Sequence, residues 1–101
     1  MAKARITEKR ISCIKTEQPH DHIVEVGIGG DAEAWFEKMT VDEVHDAMTA
    51  GVRFVTADLS TERSAIVRRA ICGTEYCHFV TVESVPGTPP DLDVALLPVC
   101  R

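Results

Sequence analysis

The strongest local signal in the sequence is a helix start at Thr40-Val41-Asp42-Glu43, and it restricts the chain to folds arranged around one main helix. The Thr40 hydroxyl is spaced to accept from the Glu43 amide while the Glu43 carboxylate returns to the Thr40 amide, a reciprocal capping box. Met39 before the cap and Val44 after it are placed to pack as a hydrophobic staple. Val41, Val44, Ala47 and Met48 recur at helical spacing, and Asp42 and Glu43 suit the positive end of the helix dipole. Gly51 stands where a C-terminal cap glycine belongs, so the pattern predicts a helix from about Val41 to Ala50.

The rest of the chain reads as strands and turns. Arg10 to Thr16 and His22 to Ile28 are rich in β-branched residues and flank a turn-prone EQPHD segment, which predicts a hairpin ended by Gly29-Gly30. Val52 to Thr56, Ser64 to Cys72 and Tyr76 to Glu83 are three further strand candidates, with a tight turn at Cys72 to Tyr76. Residues 31–39 fit either a short turn of helix or a loop anchoring Trp35. Val85 to Pro90 cannot continue a sheet, and the apolar segment after it suits docking on the body. The expected fold is α+β in ββαβββ order, with about five mostly antiparallel strands, one main helix and a docked Pro-rich tail. Residues 1–9 read as a flexible basic arm and residues 10–101 as a single domain. One helix covers only one sheet face, so the other face must be polar or covered by the tail, a partner or a ligand.

Composition narrows the classes. A chain of 101 residues that is 45% hydrophobic is one domain with enough buried surface to fold without staples, which excludes disorder throughout. A formal net charge of −5 argues against a general binder of nucleic acid or acidic membranes. The charge is segregated along the chain. Residues 1–16 carry Lys3, Arg5, Lys9, Arg10 and Lys15 against Glu8, whereas residues 17–62 set many acids against Lys38 and Arg53. Arg63, Arg68 and Arg69 then form a small basic cluster. This segregation permits complementary self-association or a basic partner. No apolar run reaches the roughly 18–20 residues of a membrane span, and the basic start lacks the apolar stretch of a signal peptide. These observations predict a cytoplasmic protein whose Cys13, Cys72, Cys77 and Cys100 stay thiols.

Short motifs running from Ile-x-Cys-Ile at 11–14 to Leu-Leu-Pro-x-Cys at 96–100 together resemble the small bacterial domain-of-unknown-function family 3892. They are Ile-x-Cys-Ile at 11–14, Pro-His-x-x-Ile at 19–23, Gly-Gly at 29–30, Trp35, Val-x-x-Val at 41–44 and Gly-x-x-Phe at 51–54. Tyr76, Pro-Gly-Thr-Pro-Pro-Asp at 86–91 and Leu-Leu-Pro-x-Cys at 96–100 complete the set, so the similarity runs from about Ile11 to Cys100. Family members place Asn-Leu-Leu directly after that Asp, whereas here Leu92-Asp93-Val94-Ala95 intervenes. The resemblance implies a compact α+β domain and no assigned activity.

Candidate chemistry is sparse. Cys72-x4-Cys77-His78 and His20-x-His22 offer soft metal ligands, and Cys13, His20 and Cys100 can converge if the tail returns to the first strand. Tetrahedral zinc prefers closely paired Cys or His, and only Cys72/Cys77 comes near that spacing. On a strand Cys77 and His78 point to opposite faces, which disfavours one ion or a catalytic dyad shared by that pair. Asp42, Glu43 and Asp46 are explained as helix acids. Gly27-x-Gly29-Gly30 lacks the full phosphate-loop pattern and reads as a turn, and Arg68 and Arg69 alternate faces rather than forming a stripe. The expectation is no catalytic, cofactor-binding or metal-binding residue, no cofactor, no membrane and no nucleic acid. The function expected is a non-enzymatic protein-interaction module acting through a sheet face or edge, in its simplest form a homodimer. A small-ligand domain using Gly29-Gly30, Trp35 and the tail is the alternative, and zinc binding through Cys/His the third reading.

Overall fold

Each β-branched run becomes a strand. The computed structural model describes residues 7–18, 21–30, 36–58, 60–72 and 77–101. Among them, β1 (Glu8–Glu17), β2 (His22–Ile28), β3 (Glu37–Thr40), β4 (Arg53–Asp58), β5 (Arg63–Ile71) and β6 (Val80–Ser84) form a six-stranded sheet in the order β3-β2-β1-β4-β5-β6. A helix α1 (Val41–Thr49) follows β3, and two short 3-10 turns, Pro90–Leu92 and Val94–Leu96, punctuate the tail. β1 and β4 pair in parallel, and the other pairings are antiparallel.

The α+β class and the single helix stand, and the strand count is corrected from five to six. The added strand, β3, places residues 37–40 in the sheet beside Glu25–Ile28, where a helical turn or loop was expected. Its sequence, Glu-Lys-Met-Thr, has no apolar alternation. Pairing with β2 and ion pairs from Lys38 to Glu25 (3.4 Å) and from Lys9 to Glu37 (2.5 Å) hold it. Glu8 and Lys9, which the sequence reading assigned to the basic arm, pair with Arg53 and Phe54 in the sheet. The first six residues of that arm, with Trp35 and His20, lie outside the described residues. β6 starts at Val80 rather than at Tyr76, although the bond from the Cys72 amide to the Phe79 carbonyl extends the β5–β6 pairing toward the turn.

The helix forms as its local sequence dictates. The Thr40 side chain accepts from the Glu43 amide, and the Glu43 carboxylate accepts from the Thr40 amide. Val41 and Val44 enter the core. At the other end Ala50 caps the helix and Gly51 follows with φ +102°, a value that L side chains rarely adopt.

One core gathers the inward side chains of the sheet. Ile11, Val26, Val44, Phe54 and Val94 are essentially inaccessible to solvent, and Ile14, Ile23, Ile28, Val67 and Val82 surround them. The outer surface of β5 is mixed: Ile66 is exposed, and Arg68 stands directly opposite Glu83 on β6 and is ion-paired to it at 2.6 Å. Beyond β4 the tail docks, burying Leu92 and Val94 and placing the Leu92 carbonyl on the Thr56 hydroxyl.

The tail then returns to β1. The Ile14 amide donates to the Pro98 carbonyl (2.9 Å) and the Cys100 amide to the Ile14 carbonyl (3.0 Å). Val99 thereby pairs in parallel with Ile14 on the edge that β4 has left. Cys13 and Cys100 form a disulfide across this junction, which corrects the expectation that all four cysteines stay thiols. The earlier reading assigned redox state from compartment; here proximity on paired segments decides it.

Two outcomes follow for stability. Thr40→Ala should lower the unfolding free energy by about 1 kcal/mol in a urea titration, the usual worth of a side-chain cap. The bridge closes a loop with a sequence separation of 87. Replacing Cys13 and Cys100 together by Ser should therefore lower stability by about 2–5 kcal/mol and free the tail to proteolysis.

Candidate functional site

The order of the sheet separates β2 from β6, yet the sheet curls so that the two approach. The Thr81 hydroxyl donates to the Ile23 carbonyl at 3.1 Å, joining the strands without a backbone ladder. Helix α1 lies against the same seam, where its His45 Nε2 is 2.9 Å from the Thr81 carbonyl oxygen.

At one end of this seam three chemically capable side chains meet. β2 opens with His22, straight after Asp21, which adopts a positive φ of 53° to turn the chain. Cys72 follows the last residue of β5, and Cys77 lies three residues before β6. The Cys77 Sγ is 3.1 Å from His22 Nε2, and one ligand atom from each of His22, Cys72 and Cys77 lies within 4.8 Å of the others. Phe79 stacks on the His22 ring with centroids 4.3 Å apart and planes 3° from parallel. That stacking fixes the imidazole plane, while the Cys72–Phe79 backbone bond of 2.9 Å holds Cys72 beside Phe79. Contact with the Cys72 thiol, and secondarily burial, pushes the Cys77 thiol above its ordinary range.

Sequence reasoning named all three residues but grouped them differently. It set Cys72 and Cys77 beside His78, with Cys77 and His78 on opposite strand faces, and set His22 beside His20. His78 is exposed, Cys77 is half-buried, and His20 lies outside the described residues. The Cys72-x4-Cys77 spacing was readable as a turn bringing two thiols together. The missing signal was the curl that carries β2 across to that turn, a property of the whole sheet. Cys13 and Cys100 did converge, as a disulfide rather than as ligands.

The remaining candidates resolve into structure. The Ser12 hydroxyl donates to the Gly29 carbonyl (2.6 Å), and the Arg10 guanidinium donates to the Gly30 carbonyl, so the Gly-Gly segment is a braced turn. Gly29 has φ +73°, and a Cβ there would meet the Phe36 ring at 2.5 Å, which explains the glycine. The tail lies beside Ile14 and Ile23, where it lines a cavity of about 360 Å³ with Ala95, Leu97 and Val99. A second cavity, of about 300 Å³, is lined by His22, Cys72, Asp21 and Ala95 among others. Asp93 caps the 3-10 turn through the Ala95 amide at 3.0 Å. Each arginine of the basic cluster is engaged: Arg63 with Asp58 and Asp91, Arg68 with Glu83, and Arg69 with the Thr49 hydroxyl.

Among the described residues, no helix is long and apolar enough to cross a membrane. No family model matches the chain, no curated protein matches it in sequence, and no solved structure matches its fold.

Proposed function

We propose that the protein is a non-enzymatic interaction module that pairs with a second copy of itself through the edge formed by its tail. The observation that carries this reading is the geometry at Val99. Ile14 takes the inward-facing Pro98 carbonyl and Cys100 amide, so the N–H and C=O of Val99 itself face away from β1. Neither has a hydrogen-bond partner among the described residues. The Val99 side chain is 65% exposed and Leu96 is 69% exposed, which gives an unpaired strand edge flanked by apolar surface. Unpaired edges of this kind recruit another strand. β3, at one end of the sheet, is only four residues long and presents exposed Glu37 and Lys38, features that discourage pairing there. Two tail edges related by a two-fold axis satisfy each other's Val99 groups, the commonest oligomer symmetry.

The reading includes two narrower proposals. The protein belongs with the small domains of family 3892, whose Leu-Leu-Pro-x-Cys end corresponds here to the segment that builds this edge. It works in the cytoplasm, where its disulfide persists because Cys13 is fully buried and an attacking thiolate must approach through Cys100. A small ligand is the second reading, favoured by the cavity of about 360 Å³ in which Thr16 and Asp21 add polar groups to a lining of Ile14, Ile23, Leu97 and Val99.

Sedimentation equilibrium tests the dimer. The mass should rise with concentration from 11.1 kDa toward twice that value. Val99→Pro should hold it at the monomer, because proline removes the outward N–H while leaving both bonds to Ile14 in place. A wild-type mass fixed at the monomer across the concentration range would exclude self-association.

A further inference from the structure

We propose that His22, Cys72 and Cys77 bind one Zn²⁺ ion, which staples β2 to the β5–β6 turn and keeps a fourth coordination position open. Two observations combine. The donor set is one imidazole and two thiols, the soft and borderline ligands that select zinc over magnesium or calcium. Their ligand atoms already lie within 4.8 Å of one another although His22 and Cys77 are 55 residues apart in sequence. In a tetrahedral site, bond lengths of about 2.0–2.3 Å put ligand atoms roughly 3.5 Å apart, so modest side-chain rotation completes the arrangement.

The site is also supported and placed where a cross-link has mechanical use. Phe79 holds the His22 ring by stacking, and its carbonyl holds the Cys72 amide, so one residue positions two of the three ligands. β2 and β6 are not ladder partners, and near the three ligands the Thr81–Ile23 bond is the hydrogen bond that ties the strands. His22 and Cys72 line the cavity of about 300 Å³, which gives water or an exchangeable ligand access to the fourth position. All three residues are half-buried, which suits an ion that must enter from solvent.

The chemistry balances without an oxidant. Zinc accepts a lone pair from His22 Nε2 and from each sulfur. The two thiol protons leave to solvent.

The test is Co²⁺ titration of the full chain. Expected are thiolate-to-cobalt charge-transfer absorption and the visible bands of a tetrahedral site, saturating at one ion per chain and bleached by Zn²⁺. Cys72→Ser and Cys77→Ser should each weaken binding by more than about 100-fold, beyond the loss typical of an outer-shell partner. X-ray absorption of the zinc-loaded wild type gives the same answer without any variant, through a shell of two sulfurs and one imidazole nitrogen. Three results would overturn the proposal. One is the absence of thiolate charge transfer, another a zinc shell without sulfur, and the third recovery of Cys72 and Cys77 from cells as a metal-free disulfide.

Discussion

Strand β1 is occupied along both of its edges, and the rest of the structure depends on that double pairing. β2 follows one edge, from Ile11 opposite Ile28 to Glu17 opposite His22. The other edge is divided: β4 takes Glu8–Arg10, and the tail takes Ile14 once β4 has diverged. The C-terminal segment is thus a structural part of the sheet. Phe54, Val55 and Thr56 of β4 are all buried, and the tail docks on the face that Phe54 and Thr56 share, through the Leu92 carbonyl on the Thr56 hydroxyl and Val94 in the core around Phe54.

What could be read from the sequence separates by range. The helix was legible because a capping box and a cap glycine act over three or four residues. Strand β2 was legible to its ends, His22 and Ile28, because turn residues bracket a β-branched run. β3 was not, since its four residues carry no pattern and are strand only because β2 presents an edge. The parallel β1–β4 pairing and the tail's return are partner choices between distant segments, and no local pattern encodes them. The candidate site divides in the same way. The Cys72–Cys77 approach was implicit in a hairpin turn, whereas His22 joins them only because the six strands curl.

The segregation of charge along the chain largely dissolves in space. Lys9 reaches Glu37, Lys38 reaches Glu25, Arg63 reaches Asp58 and Asp91, and Arg68 reaches Glu83. Exposed pairs of this kind contribute roughly 0–1 kcal/mol each, so they add little stability. They do consume the complementary patches that the sequence alone offered as a basis for association. Hydrocarbon stays exposed at Phe36, Ile66, Ile71, Leu96 and Val99, and at Val99 it adjoins outward-facing backbone, which moves the case for association from electrostatics to edge pairing.

The four cysteines make a related point about a chain of 101 residues. A domain of this size was expected to manage without staples. Its sulfur nevertheless sits at the two places where the backbone ladder runs thin. The tail contacts β1 through a single bridge, and the disulfide lies directly beside it. At the β2–β6 seam no ladder exists, and there the other two sulfurs face an imidazole. A ladder distributes cohesion over many residues, whereas a short contact concentrates it on one or two. Cross-linking ligands are most effective at such contacts, because they restrict the open state that a lone hydrogen bond cannot suppress. On this argument the chemistry of the seam and the disulfide of the tail answer one mechanical requirement, imposed by a sheet that curls without closing.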